Sequence, residues 1–195
     1  MQLLSFDIEI SDVFDLQENE DLEDHAPFNV AIASTAVHGG DERLWYSTDK
    51  GGQPLVNMTR SKAREVLRYL RGMQEQGYMV CAWNGLGFDL RWLGYAAEDP
   101  KLAAKVAMNL HDPMFQFFNQ RGFPIGLAAV GQAMNISQRK SMNAADAPKR
   151  WRSGDHNTVM EYVLGDSRIF VPPVVMYRPR PKGCVSAVDL GGDGT

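Results

Sequence analysis

The chain has 195 residues and a formal net charge of −4, from 20 basic and 24 acidic side chains, with 44% of residues apolar and 23% charged. This composition excludes a disordered or fibrous chain, and the length suits one domain with its own core rather than an enzyme of two large lobes. The two cysteines, Cys81 and Cys184, form no C-x-x-C pair. That excludes a cysteine zinc site and a disulfide scaffold and makes a reducing, cytoplasmic setting the expectation. No apolar run nears the roughly 20 residues that a membrane span needs, and no secretory signal pattern opens the chain.

In chain order, residues 2–10 (QLLSFDIEI) read as a strand. Residues 11–28 read as an acidic loop: Asp15, Glu18, Glu20, Asp21, Glu23 and Asp24 occur without a base among them, a self-repelling run that is usually solvated. Residues 29–38 and 43–47 are two further strands, turned at Gly39-Gly40-Asp41. A helix over 61–76 follows, with Ala63, Val66, Leu67, Leu70 and Met73 on one face, Thr59 or Ser61 at its start and Gly77 at its end. Tyr78 to Trp83 is a nearly continuous apolar run that fits a buried strand. Helices are expected at 88–98, 113–120, 125–134 and 156–170, and a further strand at 107–110. Asp155 is a fitting N-cap for the last helix, and Pro172-Pro173 should stop it. Residues 136–153 are polar and basic with little periodicity, and the tail 178–195 is rich in Pro and Gly and looks loosely ordered. Hairpin strands followed by β-α units predict an α/β domain over 1–177. Its mixed central sheet would have three antiparallel strands, then parallel ones, flanked by helices.

Three local patterns carry carboxylates. Asp7 and Glu9 are two apart on a strand, hence on one face about 6.5–7 Å apart along it. Two acids so placed repel, and a divalent cation resolves the conflict because Mg²⁺ and Mn²⁺ favour oxygen ligands. The pair alone is more simply an edge strand with a solvated face. Asp89 closes the run Trp83-Asn84-Gly85-Leu86-Gly87-Phe88-Asp89 at the carboxyl end of the buried strand, where ligand sites of open α/β sheets gather. A glycine-rich turn with an Asp complementing a helix N-terminus is the plain alternative. Tyr162 and Asp166, four apart on the last helix, share a face. Together the acids could form a four-carboxylate cage for two ions that clamp a scissile phosphate.

These segments resemble a known family. SFDIEI resembles the first motif of the DEDD 3′–5′ exonucleases, WNGLGFDLRWL their second (N-x-x-x-F-D), and YVLGD their third in its tyrosine form, in the family's order. The resemblance spans roughly Leu3 to Phe170 and is nearest the proofreading domain of family B DNA polymerases. It implies a ribonuclease H-like fold and a metal-dependent 3′–5′ exonuclease acting on single-stranded nucleic acid, DNA rather than RNA. It also implies two divalent ions, Mg²⁺ or Mn²⁺. Asp7 would bridge both; Glu9 and Asp166 would hold the ion that activates water; Asp89 would serve the second; Tyr162 would orient the attacking water. Asn84 lies near the substrate strand on this reading, Phe88 beside it or in the core, and His111-Asp112 is structural. The same resemblance leaves room for a catalytically idle binding module on this fold, and for an accessory subunit of a separate polymerase or repair protein.

Basic residues cluster at Arg60, Lys62, Arg64, Arg68 and Arg71, read as a solvated helix face. A second cluster, Arg139, Lys140, Lys149, Arg150 and Arg152, leads into the third motif and is expected to contact phosphate. Trp151 and Trp83 are candidates for stacking on an unpaired base.

Overall fold

The computed structural model describes residues 2–15, 17–133 and 142–176. Its first strand, β1 (Leu3–Ile10), becomes the middle of a five-stranded sheet. The hairpin β2 (Val30–Val37) and β3 (Glu42–Trp45) pairs antiparallel on one side. Strands β4 (Met79–Cys81) and β5 (Leu110–His111) add in parallel on the other, giving the order β3-β2-β1-β4-β5. This is the mixed α/β sheet that the element order implied. It changes the solvated-edge reading of Asp7 and Glu9: β1 is central in the sheet order, and although β4 flanks it only as far as Ser5, helical packing buries the face that carries the two acids.

The helices are α1 (Arg60–Glu75), α2 (Asp89–Ala96), α3 (Pro100–Ala107), α4 (Pro113–Arg121), α5 (Leu127–Ala133), α6 (Ala147–Arg152) and α7 (His156–Met176). Side chains of β1 alternate between its faces. Leu4, Phe6 and Ile8 pack with Val66, Leu67 and Leu70 of α1 and Leu90 and Leu93 of α2 in the main core; each such burial stabilises by about 1.5–3 kcal/mol. Thr59 caps α1, its hydroxyl accepting the Lys62 N–H at 3.3 Å. A second core lies under α6 and α7, where Ala31 and Ile32 of β2 meet Trp151, Val159 and Val163. Ser34 of β2 fixes α7 there. Its hydroxyl donates to the Val163 carbonyl at 2.9 Å and lies 2.6 Å from the Ser167 hydroxyl. Arg168 adds a two-pronged bond to Glu42 of β3, at 2.7 and 2.6 Å.

Three expectations change. A helix, α3, stands at 100–107, where none was predicted, so β5 begins at Leu110 rather than 107. Its start signal was present: Asp99 accepts the Leu102 N–H at 3.0 Å and Pro100 occupies the first turn. The stretch 136–153 contains α6, and Trp151 within it is 1% exposed, its indole N–H shared by the Leu55 and Val56 carbonyls at 3.0 and 3.1 Å. Trp151 is therefore core and cannot stack on a base. Helix α7 passes Pro172-Pro173 and ends at Met176, although each proline removes an N–H donor and its ring crowds the preceding turn. Residues 134–141, with Arg139 and Lys140, and the tail 178–195 lie outside the described residues.

Gly165 sits inside α7, and a Cβ there would meet nothing within 4 Å. Gly165→Ala should stabilise the fold by up to about 1 kcal/mol, read as a higher midpoint in urea with an unchanged slope.

Candidate metal centre and active site

The carboxyl end of β1 outruns its neighbour. Pairing with β4 covers only Leu3 to Ser5, while β1 continues to Ile10 along β2, with a register shift between Glu9 and Ile10. Beyond Ser5, the edge facing β4 therefore has backbone groups to satisfy. Asp89, the first residue of α2, takes one of them: its Oδ1 accepts the Ile8 N–H at 3.1 Å. The second motif is thereby tied to the first, through a carboxylate that is 4% exposed.

On the other face of β1, Asp7 and Glu9 point toward α7. Asp7, Glu9 and Asp166 each offer a carboxylate oxygen, and these atoms all lie within 4.8 Å of one another. Glu9 is 8% and Asp166 6% exposed. Tyr162, one turn before Asp166, is buried and hydrogen-bonded to it. Burial, then the charges of Asp166, Glu9 and Asp7, hold its phenol far above its ordinary pKa, so Tyr162 is a permanent O–H donor. Burial also pushes Asp89 up to about 7, against the lowering effect of the Ile8 N–H. Close carboxylates with little water to screen them are costly unless a cation joins them. An all-oxygen donor set of this kind fits a hard divalent ion.

All five residues line one cleft of about 330 Å³, with Asn84 and Phe88 on the same lining. The turn between β4 and α2 shapes that wall. Asn84 adopts φ +63°, a left-handed conformation that asparagine tolerates. Gly87 leaves room for the Asn84 side chain, whose Oδ1 would lie 2.5 Å from any Cβ added there. A Cβ at Gly85 would overlap that of Ala82. Gly85→Ala should therefore cost about 1–3 kcal/mol by overpacking, seen as a lower denaturation midpoint. Phe88 is half-buried, its ring 5.9 Å from Phe28 in the core.

Asp112 holds this turn from beneath. Buried, it accepts the N–H groups of Asn84 at 3.1 Å, Leu86 at 3.0 Å and Met114 at 3.2 Å, so it clamps the second-motif loop to the start of α4. That is the structural role expected for it. A further part of the lining comes from the acidic segment, through Phe14 and Leu22. The six acids are exposed, as a solvated loop requires, yet the segment is anchored to the domain. Glu23 pairs with Arg91 at 2.7 Å, and Phe14 packs on Phe28 with ring centres 5.5 Å apart. The signal lay in apolar residues such as Phe14 and Leu22 set among the acids.

The basic residues expected to contact phosphate stand beside the cleft, not in its lining. Lys149, Arg150 and Arg152 are exposed on α6 and do not line the cleft, although Pro148 beside them does. Arg150 pairs with Asp155 at 2.7 Å, and Arg152 donates from Nε to the Ser11 carbonyl at 2.6 Å. Both are engaged with their own chain. Trp83 lines the cleft and donates from its indole N–H to the Ile125 carbonyl at 2.9 Å.

No protein-family model and no curated protein sequence matches the chain. Among solved structures it is similar to the family B DNA polymerase from the hyperthermophilic archaeon Pyrobaculum calidifontis, with a TM-score of 0.61 and 16% sequence identity. The match covers 90% of this chain and 24% of that one, so the chain spans about a quarter of the polymerase's length. At this identity the likeness is one of fold, an α/β domain of the ribonuclease H-like kind.

Proposed function

We propose that the chain is a metal-dependent 3′–5′ exonuclease of the tyrosine DEDD type, removing nucleotides one at a time from a single-stranded end. The observation that carries the reading is the meeting of Asp7, Glu9 and Asp166 oxygens within 4.8 Å, in a cleft that Asp89 and Tyr162 also line. Asp7, Glu9 and Asp166 would hold one divalent cation, and Asp7 with Asp89 a second. When bound, such ions supply Lewis-acid stabilisation of the charge that develops on phosphoryl, attacking and leaving oxygens. The chain's own groups do the rest. Tyr162 keeps its proton and directs it within the site, orienting the attacking water. Phe14, Leu22 and Ile10 form an apolar wall that keeps bulk water from the reacting end. Asn84 lies where the strand enters. DNA is the favoured substrate, because the similar structure is a DNA polymerase.

The test is digestion of matched single-stranded DNA, duplex DNA and RNA, labelled at either end, with and without Mn²⁺. Stepwise loss from the 3′ end of the single DNA strand, abolished by a chelator, is expected. Shortening from the 5′ end first, or cutting of a circle without ends, would reject the assignment.

A further inference from the structure

Helix α4 and the loop after it present large aromatic side chains to solvent: Phe115 is 42%, Phe118 45% and Phe123 55% exposed. Phe115 and Phe118 are three apart on α4 and share its outer side. This patch does not stand apart from the cleft. Phe117 on the same helix packs against Trp83 with ring centres 5.8 Å apart, and Trp83 is a cleft wall. Leu86, 41% exposed, belongs to the loop that Asp112 pins to the start of α4. The aromatic surface therefore begins at the rim of the cleft and leads away from it.

Charge divides the two sides of that rim. The Phe14–Leu22 side carries the six acids between Asp15 and Asp24. From Pro113 to Ala133, on the Trp83 side, there is no acid; four phenylalanines stand with Arg121 and several amide side chains. A polyanion leaving the cleft is repelled by the first side and not by the second. Exposed aromatic faces with neutral polar neighbours suit unpaired bases, which stack without regard to sequence.

We propose that the Phe115, Phe118 and Phe123 surface is the stacking platform for the single strand upstream of its 3′ end, a binding site distinct from the carboxylate cleft. This rests on the exonuclease reading. It makes substrate length matter, since a strand of two nucleotides would fill the cleft but not reach the platform.

The test compares the wild-type chain with Phe115→Ala/Phe118→Ala and with Phe123→Ala. Binding of an oligothymidylate of about 12 nucleotides is followed by fluorescence anisotropy in a chelator, alongside Mn²⁺-dependent hydrolysis of that strand and of a dinucleotide. The double variant should bind the long strand at least about tenfold more weakly and show a matching rise in KM, with dinucleotide turnover unchanged. Equal binding of the long strand by wild type and both variants would overturn the platform. Loss of self-association by light scattering, with strand binding intact, would overturn it too, by making the face a contact between copies of the chain. A wild-type chain that binds the long strand through these residues but cleaves nothing would sink the exonuclease reading and leave the platform standing.

Discussion

Asp7→Ala is expected to abolish metal-dependent release of 3′ nucleotides, lowering kcat/KM by about a thousandfold or more. Metal stabilisation of a phosphoryl transition state supplies several kcal/mol, and about 1.4 kcal/mol is a factor of ten in rate. Asp7 is the residue on which the site converges. It shares one face of β1 with Glu9, and their oxygens lie with that of Asp166 within 4.8 Å. A loss of activity alone would not separate chemistry from folding, so the same variant carries a second expectation. Removing one of three close carboxylates relieves repulsion that exists when no cation is bound. Asp7→Ala should therefore unfold in a chelator at a urea midpoint no lower than that of the wild type, while losing the stabilisation that Mn²⁺ confers on the wild type by mass action. Full retained activity, or a collapsed fold, would remove Asp7 from the role proposed for it.

The second large effect concerns Asp89 and pH. Its carboxyl, raised to about 7 by burial in the folded chain, has an ordinary value of 3.8. Below about pH 4 it is protonated in both folded and unfolded chains, and stability is indifferent to it. Between about pH 4 and 7 the unfolded chain releases a proton that the folded chain retains, so stability falls as pH rises. Above about 7 the carboxylate is ionised in both states, and the loss is complete. In a chelator, this one group should make the folded chain less stable at pH 8 than at pH 5 by a few kcal/mol. Asp89→Asn removes that slope, because an amide oxygen can still accept the Ile8 N–H while carrying no charge. The variant should thus be more stable than wild type at pH 8 without metal, and inactive. Urea unfolding at both pH values, with and without Mn²⁺, measures all of this. A wild-type slope of the opposite sign would show that Asp89 is ionised throughout.

Most of the site was legible in the primary structure because it is written in short-range terms. Period-two spacing puts Asp7 and Glu9 on one face of a strand, and period 3.6 puts Tyr162 and Asp166 on one face of a helix. The glycines of the second motif mark a turn with no room for side chains. The mixed sheet was likewise readable from a hairpin followed by β-α units. The failures came where long-range packing chose between local options. Trp151 has the chemistry to stack on a base, but Ile32, Val159 and Val163 enclose it.

Net charge shows the same division. The sequence established a slightly acidic chain of one-domain size, with ten of its 24 acids in one run and in three motifs. Only the tertiary structure decided that one set of acids would crowd together at the end of a central strand while the other lies along one rim of the cleft. The physical reason is that Coulomb energy depends on distance and screening, not on sequence separation. Asp7 and Asp166 are 159 positions apart in the chain, and it is the docking of α7 on Ser34 that makes them neighbours.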